Sequence, residues 1–317
     1  MKACSVEDCF APDTTCAHGH LSLKDCPNWT SQEKIDSKSS DEGTEIVLPW
    51  SGSALGRTDL SFVTGRRTPM MIGILGPENA GKTSLLAAWY LLIGRGANIG
   101  NRHTFSGSFT LSGWEAVARS MQWTPGTPPE FPAHTSTRGV RGQGLLHLAF
   151  REDGNRLRDY LFTDAPGLWF QRWAINEQAP DAKGARWIVD NADAFILTAD
   201  CAALAGDDKG SARAAIQLLA RRLGANRRGR PVTLVWTKSD ITVAESMKFS
   251  VRDAVSSQVP GFEEMTVSMQ APADDSHGQG TGLTALLKHT LQIRRLKQVL
   301  SPSHVNATDA LFLFGAR

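Results

Sequence analysis

The chain has 317 residues, with 34 Lys+Arg against 32 Asp+Glu and a net charge of +2, and it is long enough to bury a sizeable core without covalent staples. So small a net charge gives no general attraction for nucleic acid or an acidic membrane, and no uninterrupted apolar run approaches the length of about 20 residues that spans a bilayer. A soluble protein of a reducing, cytoplasmic compartment is expected, without a nucleic-acid or membrane partner.

Four of the five cysteines, Cys4, Cys9, Cys16 and Cys26, crowd into residues 1–30, with His18 and His20 among them. No apolar signal-peptide core precedes them, and an oxidised framework would spread its cysteines through the fold. Soft ligands in a stretch too short for its own core suit tetrahedral Zn²⁺, held by the four cysteines or by three of them with His20. Such a closed site is structural or adhesive. Residues 31–69 follow as a linker and lead-in: 31–45 is charged and Ser-rich, and Ile46 to Pro69 offers Trp50, Leu55, Leu60, Phe62 and Val63 for packing onto the next domain.

From residue 70 the pattern alternates. Apolar runs at 70–75, 144–150, 160–164, 193–199, 232–237 and 264–268 read as strands, and helix-like patterns at 84–94, 180–190, 209–223 and 282–299 separate most of them. This predicts an α/β fold with a mainly parallel sheet covered on both faces. The strands 144–150 and 160–164 are joined by a turn too brief for a helical crossover, so they should form one antiparallel pair. Residues 97–140 read as a large insertion with a short helix around Trp114 to Met121, and 300–317 as a tail.

Gly76-Pro77-Glu78-Asn79-Ala80-Gly81-Lys82-Thr83-Ser84 lies between the first strand and the first helix. Glycines let such a loop curl until its N–H groups point inward, and the helix amino terminus adds partial positive charge. Lys82 then reaches the β- and γ-phosphates of a nucleotide, and the Thr83 hydroxyl reaches Mg²⁺. Asp164-Ala165-Pro166-Gly167 follows the strand 160–164, so Asp164 can hold Mg²⁺ and Gly167 can offer its N–H to the γ-phosphate.

Thr237-Lys238-Ser239-Asp240 closes the strand 232–237. The Asp240 carboxylate can accept from guanine N1–H and the exocyclic amine, donors that adenine lacks. Lys238 would lie along the nucleotide. After the strand 264–268, Ser268-Met269-Gln270 can present a backbone N–H to the guanine carbonyl, or Ser268 is an ordinary strand-end residue.

These three motifs, in this order and with the antiparallel pair before the second, resemble the translation-factor-related class of P-loop GTPases over residues 70–299. The resemblance implies GTP and GDP as ligands, hydrolysis at the γ-phosphate, and a switch threonine on Mg²⁺, for which Thr135 and Thr137 are the candidates, Thr137 slightly preferred. Leu168 stands where many members carry a water-orienting glutamine. Gln171 and Arg172 are nearby substitutes for that role, against the plainer reading of a solvated loop. Trp169, Phe170 and Trp173 beside them are either a partner-binding surface or core. The amino-terminal Cys/His stretch, Leu48-Pro49-Trp50 and Ser84-Leu85-Leu86-Ala87 look like the prokaryotic double-GTPase group of conflict and defence systems. That narrower likeness implies a protein partner or effector, a second GTPase among the candidates.

Overall fold

The structure, a computed structural model, describes residues 54–65, 67–99, 103–122, 125, 130–132, 144–270 and 280–295. All of them belong to the unit Pro49–Arg317, one of two into which the chain divides. The cysteine cluster, His18, His20, Thr135 and Thr137 lie outside the described residues.

The first helix, α1 (Leu60–Thr64), follows a short 3₁₀ turn, and β1 (Met70–Leu75) and α2 (Lys82–Gly94) come next. After them come β2 (His103–Gly107), α3 (Leu111–Ala118), β3 (Leu145–Glu152), β4 (Arg156–Thr163) and α4 (Gly167–Ile175). The remainder is α5 (Lys183–Asn191), β5 (Ala194–Asp200), α6 (Cys201–Ala205), α7 (Lys209–Asn226), β6 (Val232–Thr237), α8 (Glu245–Gln258), β7 (Glu263–Thr266) and α9 (Leu283–Gln292). The strands form one sheet in the order β2-β3-β4-β1-β5-β6-β7. Every pairing from β4 to β7 is parallel.

The expected antiparallel pair is present as β3 and β4, in register from Leu145↔Thr163 to Glu152↔Arg156. The turn between them is tight because Gly154 and Asn155 both take positive φ, a region open to glycine and tolerated by asparagine. The presumed insertion adds something unforeseen. Its residues 103–107 form β2, which pairs antiparallel with β3 and extends the sheet at that edge.

Two apolar layers cover the sheet, one on each face. Leu85, Leu86, Trp89 and Leu92 of α2 pack with Trp114 of α3 and with Leu286, Leu287 and Leu291 of α9 on one side. On the other, Phe170 and Trp173 of α4 join Ile188 of α5, Leu219 and Leu223 of α7 and Val251 and Val255 of α8. Phe170 and Trp173 are fully buried, which settles their role as core. The stretch 167–175 is an amphipathic helix whose apolar side is sealed, and not a loop.

The lead-in packs in part: Leu55 and Val63 are buried and Leu60 is partly buried against the core, whereas Phe62 is exposed and Trp50 lies outside the described residues; Leu55 makes an antiparallel bridge to Leu145. The pattern at 282–299 stops short, because Ile293 turns extended after Gln292. Tertiary partners outcompete helix propensity there. The Arg295 guanidinium donates to both Asp193 oxygens, at 2.5 and 2.7 Å, and to the Pro69 carbonyl. Arg294 meanwhile reaches Glu152. Asp193 in turn accepts from the Met71 N–H, so these groups lock the amino-terminal ends of β1 and β5 and leave the carboxyl ends to carry the ligand groups.

Candidate functional site

Open α/β sheets place ligands beyond the carboxyl ends of their strands. A cavity of about 370 Å³ lies there, lined by Glu78 to Ser84, by Ala165 and Gly167, by Thr237, Lys238, Asp240 and Ile241, and by Phe131, Pro132, Met269 and Gln270. That volume suits a nucleotide-sized ligand.

At one end is the loop before α2. Asn79 and Gly81 both take positive φ, at 61° and 77°, which curls the chain into the helix amino terminus. A Cβ on Gly76 would sit 1.9 Å from the Thr198 hydroxyl oxygen, so only glycine fits beneath the loop. Lys82 is buried and donates to the carbonyls of Gly76 and Pro77 at 3.1 and 2.7 Å. Desolvation brings its pKa down to about 8, against the pull of the Asp164 and Glu78 carboxylates.

That depression fixes the sign of a pH effect. Between about pH 8 and 10.5 the unfolded chain holds a proton that the folded one has released, so the cost of burying this charge fades as pH rises through that window. A phosphate beside Lys82 restores the charged form, and binding above pH 8 then takes up a proton. GDP affinity is expected to fall by up to about tenfold per pH unit above that point. Calorimetry in buffers of different ionisation enthalpy should register the proton uptake, and pH-independent affinity up to about pH 9.5 would mean that Lys82 does not face the phosphates.

Next to Lys82, the Thr83 hydroxyl donates to Asp164 Oδ1 at 2.8 Å. A threonine hydroxyl that donates still keeps lone pairs. Two hard oxygen donors side by side suit Mg²⁺ better than a softer metal. Thr163, just before, accepts the Ile74 N–H at 2.9 Å, which fixes β4 against β1 and Asp164 against the loop. Gly167 begins α4 so close to the loop that an added Cβ would lie 2.3 Å from the Glu78 amide nitrogen.

At the other end, the Ser268 hydroxyl donates to Asp240 Oδ1 at 2.5 Å and orients the carboxylate. Ser268 therefore acts through its side chain. Its own N–H is committed to the Thr281 carbonyl at 3.0 Å and the Gln270 N–H to the Ser268 hydroxyl at 3.1 Å, so among these three residues a backbone donor for a base would come from Met269, on the cavity wall. Thr237 donates to the Ala199 carbonyl at 3.3 Å and lies under Gly81. Lys238, at φ 54°, pairs with Asp200 at 2.7 Å.

The sequence candidates Glu78 to Ser84, Gly167, Thr237, Lys238, Asp240 and Met269 thus share one cavity wall, and Gly76, Asp164 and Ser268 join it through Lys82, Thr83 and Asp240. Gln171 and Arg172 do not: neither lines the cavity, and Arg172 is exposed and pairs with Asp181 at 3.5 Å. With Leu168, Trp169 and Lys183 it borders a separate depression. Sequence reasoning missed Asp200, Phe131, Pro132 and Ile241. Asp200 ends its apolar strand and accepts from the Ala202 and Ala203 N–H groups as the cap of α6, while its second oxygen holds Lys238; an acidic residue at that strand end was the available signal.

The family model Double-GTPase 2 matches residues 70–291. The chain belongs to the Double-GTPase 2 family. The match starts at β1 and ends within α9, so every described residue that lines the cavity lies inside it. A comparison with curated proteins finds no match.

Among solved structures, this double-GTPase is similar to a GTP-binding protein from Sulfolobus solfataricus in complex with GDP, at 13% identity and TM-score 0.37, over 74% of this chain and 55% of that one. It is also similar to Era in complex with MgGDPNP and a segment of 16S ribosomal RNA, at 17% identity and TM-score 0.37, over 74% and 60%. A variant of Era from Aquifex aeolicus bound to GDP and aluminium fluoride matches at 18% identity and TM-score 0.35, over 78% and 64%. The chain spans less than two thirds of the length of each of these three. Among the described residues of the double-GTPase, no helix is long and apolar enough to cross a membrane.

Proposed function

We propose that the protein is a GTP-binding switch that needs Mg²⁺ and hydrolyses GTP to GDP and phosphate, slowly alone and faster with a protein partner. The observation that carries this is the pairing of two chemistries on one cavity wall. A buried lysine with a helix amino terminus supplies the phosphate end, and a serine-held aspartate supplies an acceptor for a base bearing two donors. Thr83 and Asp164 would hold Mg²⁺, which supplies charge neutralisation to the β- and γ-phosphates when bound. The chain's own residues cradle the phosphates, hold the Lys82 ammonium against them, and select guanine.

Parallel titrations with GTP, GDP and ATP, with and without Mg²⁺, test this. Tight GTP and GDP binding with ATP far weaker is the expected result, and equal affinity for ATP would overturn the guanine assignment. A second reading, a non-hydrolysing adaptor, is favoured by Leu168, which puts an apolar side chain where a polar one would orient water and which lines the depression outside the nucleotide cavity. Single-turnover phosphate release by wild type and Lys82→Ala separates the two, since equal release by both removes the enzyme.

The wider assignment is organised as residues 1–30 forming a zinc module on Cys4, Cys9, Cys16 and Cys26 or His20, 31–69 a lead-in, 70–299 the GTPase domain and 300–317 a tail. Thr135 or Thr137 serves as the switch threonine. The setting is a cytoplasmic prokaryotic defence assembly with a protein partner, a second GTPase being one candidate. Family membership supports that setting, and cysteine spacing supports the metal.

A further inference from the structure

The hydrolysis reading leaves one role unfilled, that of a group to hold and deprotonate water at the γ-phosphate. Leu168 has no polar atom, and Gln171 and Arg172 stand off the cavity wall. Among the described lining residues the carboxylates are Glu78 and Asp240. Asp240 is at the base end, held by Ser268. Glu78 is at the phosphate end, as its contacts with Gly167 and Lys82 show. It lines the cavity, its amide nitrogen abuts Gly167, and its charge acts on the Lys82 ammonium. Its side chain is exposed, so solvent reaches it.

We propose that the Glu78 carboxylate is the catalytic residue that positions and deprotonates the attacking water. This rests on the GTP-hydrolysis reading above. The water oxygen forms a bond to the γ-phosphorus while the bond from that phosphorus to the β–γ bridging oxygen breaks, its electron pair remaining on GDP. The water proton passes to Glu78 and then to the released phosphate or to solvent, which returns the carboxylate for the next turnover. No other reactant is needed.

The placement accounts for the loop's composition. A residue at this position contributes its backbone to the phosphate cradle whatever its side chain, so a carboxylate there adds a base without altering the fold of the loop. It also places negative charge beside a polyanion, which opposes GTP binding. Glu78 is solvent-exposed, so water screens that repulsion, whereas a proton transfer to a neighbouring water is a short-range event.

The test compares full-length wild type, Glu78→Gln and Glu78→Asp with Mg²⁺, measuring GTP and GDP affinity by titration and phosphate release in single turnover. Glu78→Gln keeps shape and removes the base. Its hydrolysis is expected to slow by about 10²-fold, with GDP affinity within about twofold of wild type, and Glu78→Asp should recover part of the rate. Wild-type hydrolysis in Glu78→Gln overturns the assignment. So does a rise in GTP affinity with the rate unchanged, which would make the carboxylate a selector against triphosphate. Wild type that binds GTP and never releases phosphate overturns it while leaving GTP binding intact. Wild type that binds no GTP overturns the functional reading itself.

Discussion

Asp240→Asn is expected to weaken GTP and GDP binding by at least about a hundredfold and to strengthen xanthosine triphosphate by a comparable factor. Guanine presents two donors on one edge, N1–H and the exocyclic amine, and a carboxylate accepts both. The Ser268 hydroxyl already donates to one Asp240 oxygen. In the amide variant it would donate to the amide oxygen and turn the NH₂ toward the base. That NH₂ meets the guanine amine donor to donor, whereas xanthine offers a carbonyl at the same place. Asp240 is exposed at the mouth of the cavity, so the substitution leaves the core untouched and fold stability should be unchanged. Titration with the three nucleotides reads the result. GTP affinity equal to wild type would mean that Asp240 does not face the base.

The second large effect is expected from Gly167→Ala, the addition of one methyl group. Nothing in the Gly167 backbone angle demands glycine, because its φ is not among the positive ones. Space does. The new Cβ would lie 2.3 Å from the Glu78 nitrogen, 2.4 Å from the Pro77 carbonyl carbon and 2.6 Å from its oxygen. All three atoms are backbone, so no rotamer relieves the clash, and either the loop or the start of α4 moves by about an ångström. The Pro77 carbonyl that moves also accepts from Lys82. A displacement of that size in a positioned site costs on the order of 10² in rate, and nucleotide affinity should fall with it. Gly94→Ala is the matched control, since nothing lies within 4 Å of a Cβ there. Equal thermal stability and equal GDP affinity in the two variants would refute the steric account.

The parts of this fold that could be read from sequence were those fixed by neighbours in the chain. β1 and β6 have the bounds that their apolar runs suggest, because a buried parallel strand is apolar throughout and stops where polar or glycine residues begin. The β3–β4 hairpin follows from loop length. What escaped was fixed by partners far away. His103 to Gly107 carries one buried residue of five and is a strand only because β3 leaves an edge open beside it. The α8 sequence fully buries Val251 and Val255 alone, and its apolar Phe249 points to solvent, so the buried stripe is too thin to stand out as a helix from periodicity. Trp169, Phe170 and Trp173 were ambiguous because an apolar run does not reveal whether α7 or solvent lies opposite.

In the site the same division holds. Lys82, Thr83, Asp164 and Asp240 announce themselves through motif spacing, since each belongs to a short stretch with strand-end context. Asp200 does not. Its work consists of a helix cap made with neighbours and an ion pair to Lys238, just past the end of the next strand, and only the parallel pairing of β5 and β6 brings the two together. Phe131 and Ile241 escaped for a different reason: they line the cavity as isolated apolar side chains in loops, with no pattern around them.

The cavity wall runs from Glu78 on the first loop to Met269 and Gln270 beyond the last strand. Asp240 owes its orientation to Ser268, which is itself held by a bridge to Thr281. The Asp240 half of the cavity therefore depends on β7 and the chain leading to α9, while the Lys82 half needs β1, α2 and β4. Long-range parallel pairing is slow to form, and a ligand that binds the finished site draws the population toward it. A nucleotide that spans both halves would therefore also hold β7 and the start of α9 to the rest of the sheet.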